Sequence, residues 1–72
     1  MKDEVYLKKL GQKILKLREA KNLSQRELAR RVKSNNTQIE RIETGAVNSS
    51  INMLRKIAKE FEISISQLVE IR

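Results

Sequence analysis

Two short strings do most to limit how this chain can fold. Ser24-Gln25-Arg26-Glu27 and Ser64-Ile65-Ser66-Gln67 each place a serine three residues ahead of a Glu or Gln. That spacing is a capping box: the hydroxyl accepts the amide of the third helical residue, and the longer side chain reaches back to the serine amide. Each string therefore opens a helix. Ser34 or Asn35, and again Ser50, supply further N-cap residues. A chain of 72 residues restarted this often can only be a packed set of short helices.

The residues between the caps agree. Over residues 4–21, Leu7, Leu10, Ile14 and Leu17 form one stripe, with Lys8, Lys9, Lys13 and Lys16 off it. This predicts a basic amphipathic helix. Gly11 inside it costs about 1 kcal/mol against Ala, which marks a close backbone approach. Asn22 suits the left-handed conformation that ends a helix. Leu28, Ala29 and Val32 give a short second helix its buried side, and Ala29 is small enough to let two helices approach. The third helix runs from the Ser34/Asn35 cap to about Glu43 and is closed by Thr44-Gly45. After a polar loop over 45–50, a fourth helix spans 51–60 with Ile51, Leu54, Ile57, Ala58 and Phe61 as its buried stripe. The last helix contributes Ile65, Leu68 and Val69.

Composition supports this all-α, five-helix, single-domain reading of residues 1–72. The apolar share is 39%, nearly all aliphatic, with Tyr6 and Phe61 the only aromatics and no proline. No Cys is present, so neither a disulfide nor a thiolate metal site can staple a chain that buries only about 60% of its unfolded surface. An enzyme is the weakest function class. There is no His, Asp3 is the sole Asp, and Gly11 and Gly45 are the only glycines, so no nucleophile–base pair or phosphate loop can be assembled. No cofactor and no metal are expected.

Lys and Arg number 16 against 9 acids, a net charge of +7. Such a surface attracts polyanions: nucleic acid first, an anionic membrane second, with a merely soluble basic protein as the plain alternative. No run approaches the ~18 consecutive apolar residues of a membrane span, and no apolar signal core opens the chain. The expectation is a cytoplasmic protein with no membrane partner.

One stretch is harder to explain as scaffold. SNNTQIERIETG, residues 34–45, is rich in poor helix formers, yet Ile39 and Ile42 keep helical spacing. On a wheel of about 100° per residue the core direction falls between those two isoleucines. Thr37, Arg41 and Thr44 then point away from the core, with Asn36, Gln38 and Glu40 flanking them. Amides, hydroxyls and a guanidinium are the groups that read base edges: Asn pairs with adenine, Arg with guanine, and Thr offers a methyl to thymine. The helix before it is short and about three residues away. That arrangement suits a helix-turn-helix over about 24–43, whose second helix enters the major groove. An ordinary solvated helix is the alternative.

The strings LGQKILKLREAKNLSQRELARRV, NTQIERIETG and SSINMLRKIAKEFEISISQL resemble the helix-turn-helix domain of the phage Cro and cI repressors and their XRE-type bacterial relatives, over about residues 10–68. The resemblance implies a compact lambda-repressor-like fold and a DNA-binding transcriptional regulator, a repressor in the manner of small phage repressors and restriction-modification controllers, acting as a homodimer on double-stranded DNA. It implies base contacts from Asn36, Thr37 and Arg41, and DNA backbone contacts from Gln25, Lys33, Ser34, Asn35, Gln38 and Asn48. It also implies that Arg18 pairs with Glu43; the wheel independently puts Glu43 at the core margin, where a lone carboxylate would be costly. Three positions depart from the family pattern: Lys33 and Glu62 stand where Gly is usual, and Ser49 where Pro is usual. The apolar residues Ile63, Ile65, Val69 and Ile71 exceed what so small a core can absorb, which makes the segment at about 61–72 the expected dimer surface, unless they complete the monomer core. With no second domain expected, regulation would come from protein concentration and operator arrangement. An antitoxin that binds a toxin protein while repressing its own operon is the alternative function.

Overall fold

The computed structural model describes residues 3–71. Five helices follow in order: α1 (Asp3–Ala20), α2 (Gln25–Arg31), α3 (Asn36–Thr44), α4 (Ile51–Glu60) and α5 (Ile65–Val69). Both capping boxes form. The Ser24 hydroxyl accepts from Glu27 N at 3.0 Å while Ser24 N donates to Glu27 Oε1 at 2.8 Å; Ser64 and Gln67 repeat the pattern at 3.0 and 2.9 Å. Of the two candidates for the third N-cap, Asn35 takes the role, its Oδ1 accepting from Gln38 N at 2.8 Å. Ser34 belongs to the preceding turn, and its amide donates to Ala29 O at 2.7 Å.

The first four helices stop in the same way. A residue with positive φ follows the last turn, and the next amide reaches back five residues, as in a Schellman motif. These bonds are Leu23 N to Arg18 O, Ser34 N to Ala29 O, Ala46 N to Arg41 O and Ile63 N to Ala58 O, between 2.7 and 3.1 Å. The left-handed residues are Asn22 (φ 58°), Lys33 (58°), Gly45 (79°) and Glu62 (60°). Asn22 and Gly45 are residue types that tolerate this conformation. Lys33 and Glu62 are not, so tertiary packing imposes the turn on them.

The core is one cluster: Leu10 and Ile14 from α1, Leu28 and Ala29 from α2 with Val32 after it, Ile39 and Ile42 from α3, Leu54, Ile57 and Ala58 from α4, then Phe61 and Leu68. Ile51 is a correction to the expected α4 stripe, since it is 58% exposed. It lies within about 20° of Ala58 on the helix wheel, but it is the first residue of α4. Periodicity gives a direction and not the extent of cover.

α1 makes its largest contact with α3, and Gly11 permits it. A Cβ on Gly11 would fall 2.5 Å from Ile42 O and 2.7 Å from Glu43 C, far inside contact distance. On its other side α1 holds α5. Tyr6 Oη donates to Val69 O at 2.6 Å, and the Lys13 ammonium donates to Glu70 O at 2.9 Å and also to Gln67 O. These carbonyls, orphaned at the end of so short a helix, are thereby satisfied from outside it. Ile63, Ile65, Val69 and Ile71 are half-buried and pack against the rim of the core, so each does part of the work of a monomer core and keeps part of its surface in solvent.

Candidate nucleic-acid interface

α3 is locked to the body of the protein through its inner face. Ile39 and Ile42 are buried, and beside them Glu43 is buried as a charge. Arg18 grips it with two bonds, Nε to Oε2 at 2.6 Å and Nη2 to Oε1 at 3.1 Å, while Nη1 donates to Leu23 O at 2.8 Å. Gln25 Nε2 adds a fourth bond, to Glu43 Oε1 at 2.9 Å. Removing two charges from water is costly unless geometry and hydrogen bonding are nearly complete, and here both carboxylate oxygens are engaged. Hydrogen bonding to Glu43 raises the Arg18 pKa above its ordinary value despite the opposing effect of burial. The pair joins α1, the α1–α2 turn, the start of α2 and the end of α3, which fixes how α3 stands on the domain.

The outer face of α3 is the reverse. Asn36, Thr37, Glu40, Arg41 and Thr44 are exposed. Among the described residues, the side chains of Asn36, Thr37 and Arg41 make no hydrogen bond or ion pair. Their donors and acceptors are free in solution, on a helix whose inner face is buried and bonded to α1 and α2.

The expected backbone contacts fall in several environments. Lys33 is exposed in the α2–α3 turn, and Asn48 is exposed in the α3–α4 loop. Asn35 spends its side-chain oxygen on the α3 cap, leaving its amide hydrogens available. Ser34 and Gln38 are half-buried beside it. Gln25 was expected to hold a phosphate, but one of its two amide hydrogens is already committed to Glu43. That link was not visible in the sequence, because it depends on the end of α3 meeting the start of α2. The ties from Tyr6 and Lys13 to α5 were missed as well. The available signal was their separation of seven residues, which puts both on one side of α1.

No group of acidic, His or Cys residues among those described is arranged to hold a metal ion. Among the described residues, no helix is long and apolar enough to cross a membrane.

Comparison with known proteins follows the same lines as the geometry. Residues 14–68 match the family described as helix-turn-helix. Among solved structures, the restriction-modification controller protein C.AhdI from Aeromonas hydrophila is 34% identical, with a TM-score of 0.82 over 86% of this chain and 94% of that one. PlcR from Bacillus thuringiensis, solved with the peptide PapR7 and DNA, is also 34% identical with a TM-score of 0.82 over 89% of this chain, which spans only 22% of that one. The clp gene regulator ClgR from Corynebacterium glutamicum shares the fold at 20% identity, with a TM-score of 0.83 over 89% of this chain and 68% of its own. No curated protein sequence matches significantly. A capped α2, a four-residue turn over 32–35, an α3 with a free polar face and the family match over residues 14–68 lead to one conclusion: the chain belongs to the XRE-type helix-turn-helix family of DNA-binding transcriptional regulators.

Proposed function

We propose that the protein is a sequence-specific repressor that binds a two-fold operator as a homodimer, with α3 of each protomer in the major groove. The observation that carries this reading is the outer face of α3, where Asn36, Thr37 and Arg41 are exposed and unbonded on a helix whose inner face is fixed by the Arg18–Glu43 pair. In this reading those three residues contact base edges. Gln25, Lys33, Ser34, Asn35, Gln38 and Asn48 meet the sugar-phosphate backbone and set the register. Ile63, Ile65, Val69 and Ile71 form the dimer surface, using the part of each side chain that the monomer core leaves exposed. The likeness to C.AhdI, a restriction-modification controller, supports a regulator of that kind, and the DNA in the PlcR structure supports DNA as the ligand.

The test is selection of bound duplexes from a random library at near-physiological salt. The expected product is an inverted repeat with half-sites about one helical turn, ~34–36 Å, apart. Asn36→Ala and Arg41→Ala should each weaken binding to that site by about 1–3 kcal/mol and relax preference at one position. Repression is read from a reporter transcribed across the recovered site. Binding without enrichment, vanishing as salt rises, would leave only non-specific electrostatic attraction and overturn the reading.

A further inference from the structure

Within the reading that α3 enters the major groove, we propose that Glu40 is a specificity-determining residue that accepts a hydrogen bond from the exocyclic amine of a cytosine. The protein then selects half-sites that carry this cytosine and rejects those that do not.

Eight of the nine acids have a local task in the folded chain. Asp3 and Glu4 sit in the first turn of α1, where the helix dipole favours negative charge. Glu27 closes the α2 capping box, and Glu43 is buried against Arg18. Glu60 and Glu62 lie 3.5 Å from Arg31 and Lys21. Glu19 is close enough to Arg18 to favour its charged form, and Glu70 is engaged at the end of α5. Glu40 is the exception. It is the fifth of nine residues in α3, clear of both helix ends. Its helical neighbours at three and four residues are Asn36, Thr37, Glu43 and Thr44, none of them a cation. No ion pair or hydrogen bond engages its side chain among the described residues, and it is exposed.

In water such a carboxylate is harmless. Inside a DNA groove it is not, because it stands near phosphates and gives up water. A carboxylate there needs a donor, or it costs binding. The position of Glu40 determines which donors it meets. It lies about 100° from Ile39 on the α3 wheel, about 130° from the core direction and as far outward as Arg41 on the opposite flank of Thr37, so it borders the surface that faces the base edges. Ionised, it can only accept. Guanine offers N7 and O6 and thymine offers O4, all acceptors that repel it. Adenine presents its amine beside the N7 acceptor. Cytosine presents its N4 amine alone, which suits an acceptor-only group. One negative charge on the reading helix of a +7 protein thus lowers affinity for most sequences and spares one.

The experiment is site selection with wild type, Glu40→Ala, Glu40→Gln and Arg41→Ala, followed by titration of the recovered duplex and its single-base variants. Wild type should enrich cytosine at one position of each half-site and prefer it over thymine by about 10- to 100-fold. Glu40→Ala should bring that preference near parity and bind duplexes lacking the cytosine more tightly than wild type does. Glu40→Gln should move the preference toward adenine, whose amine and N7 suit an amide. Thermal melting checks that the exposed substitutions leave the fold intact. If Arg41→Ala alters the recovered site and Glu40→Ala leaves it unchanged, the role of Glu40 is wrong while the α3 reading stands. An equal loss of affinity for every duplex in Glu40→Ala also overturns it. If wild type enriches no site, both fall together.

Discussion

Replacing Gly11 with Ala sets two physical effects against each other. Helix propensity alone favours Gly11→Ala by about 1 kcal/mol, since Gly11 lies in the interior of an 18-residue helix. Packing opposes it. The new methyl would lie 2.5 Å from Ile42 O, where ordinary contact begins at 3.4 Å, so α1 and α3 must part by roughly 0.9 Å. The opposing atoms are backbone carbonyls in the last turn of α3 and cannot swing aside as a flexible side chain could. Overpacking of this kind costs about 1–3 kcal/mol. The separation also strains the Arg18–Glu43 pair, which spans the same two helices and loses much of its attraction if its geometry loosens. The net expectation is a loss of about 1–2 kcal/mol, with the melting temperature falling by about 4–8 °C for each kcal/mol in a domain of this size. Thermal unfolding followed by far-UV circular dichroism measures it. Gln12→Ala, at the exposed neighbouring position, places an alanine in the same turn without the close contact and should be nearly neutral. A Gly11→Ala variant that melts at or above the parent temperature would refute the close-approach reasoning, because propensity would then have won.

Other substitutions probe separate features. Lys33→Gly should stabilise the fold by about 1 kcal/mol, by removing left-handed strain from a side chain at φ 58°. The same change should weaken binding to all DNA sequences alike and flatten its salt dependence; chemical denaturation and a salt titration read the two effects separately. Ser49 Oγ is buried without a hydrogen-bond partner, so Ser49→Ala should raise stability by about 1 kcal/mol, and a lower denaturation midpoint would contradict this. Hydrogen bonds from Ser24, backbone first, hold the Glu27 pKa below its ordinary value. The folded state therefore releases this proton more readily than the unfolded chain does. The stability this adds is complete above the ordinary Glu range and is lost as pH falls through the lower folded value. Glu27→Gln should reduce that part of the acid sensitivity, seen as a smaller loss of melting temperature between neutral and acidic buffer.

The parts of the fold legible in the sequence were those set by local signals. Ser24, Ser50 and Ser64 mark helix starts because a hydroxyl in the right place satisfies amides within four residues. Leu10, Ile14, Ile39, Ile57 and Leu68 keep a helical period because each faces the same core. Gly11 could be read as a close approach, since a helix interior has no other use for it. The outer face of α3 was legible for the opposite reason: it carries side chains that neither packing nor helix propensity would select. Features that depend on where distant segments meet were not legible. Ile51 has the right period and no cover. Gln25 reads as a free amide until the end of α3 brings Glu43 to it. Tyr6 and Lys13 look like surface residues on a basic helix, and only the return of the chain shows that they hold α5.

That attachment has a consequence for how the C-terminal segment assembles. A five-residue helix is far below the length that is stable alone in water, and α5 takes part of its carbonyl bonding from α1. Its order is therefore on loan from the other end of the chain. Amide hydrogen exchange at Leu68 and Glu70 should report detachment of α5 from α1 and not the melting of a helix in its own right. Any partner that grips α5 therefore bears directly on Tyr6 and Lys13, and so on the first three turns of α1.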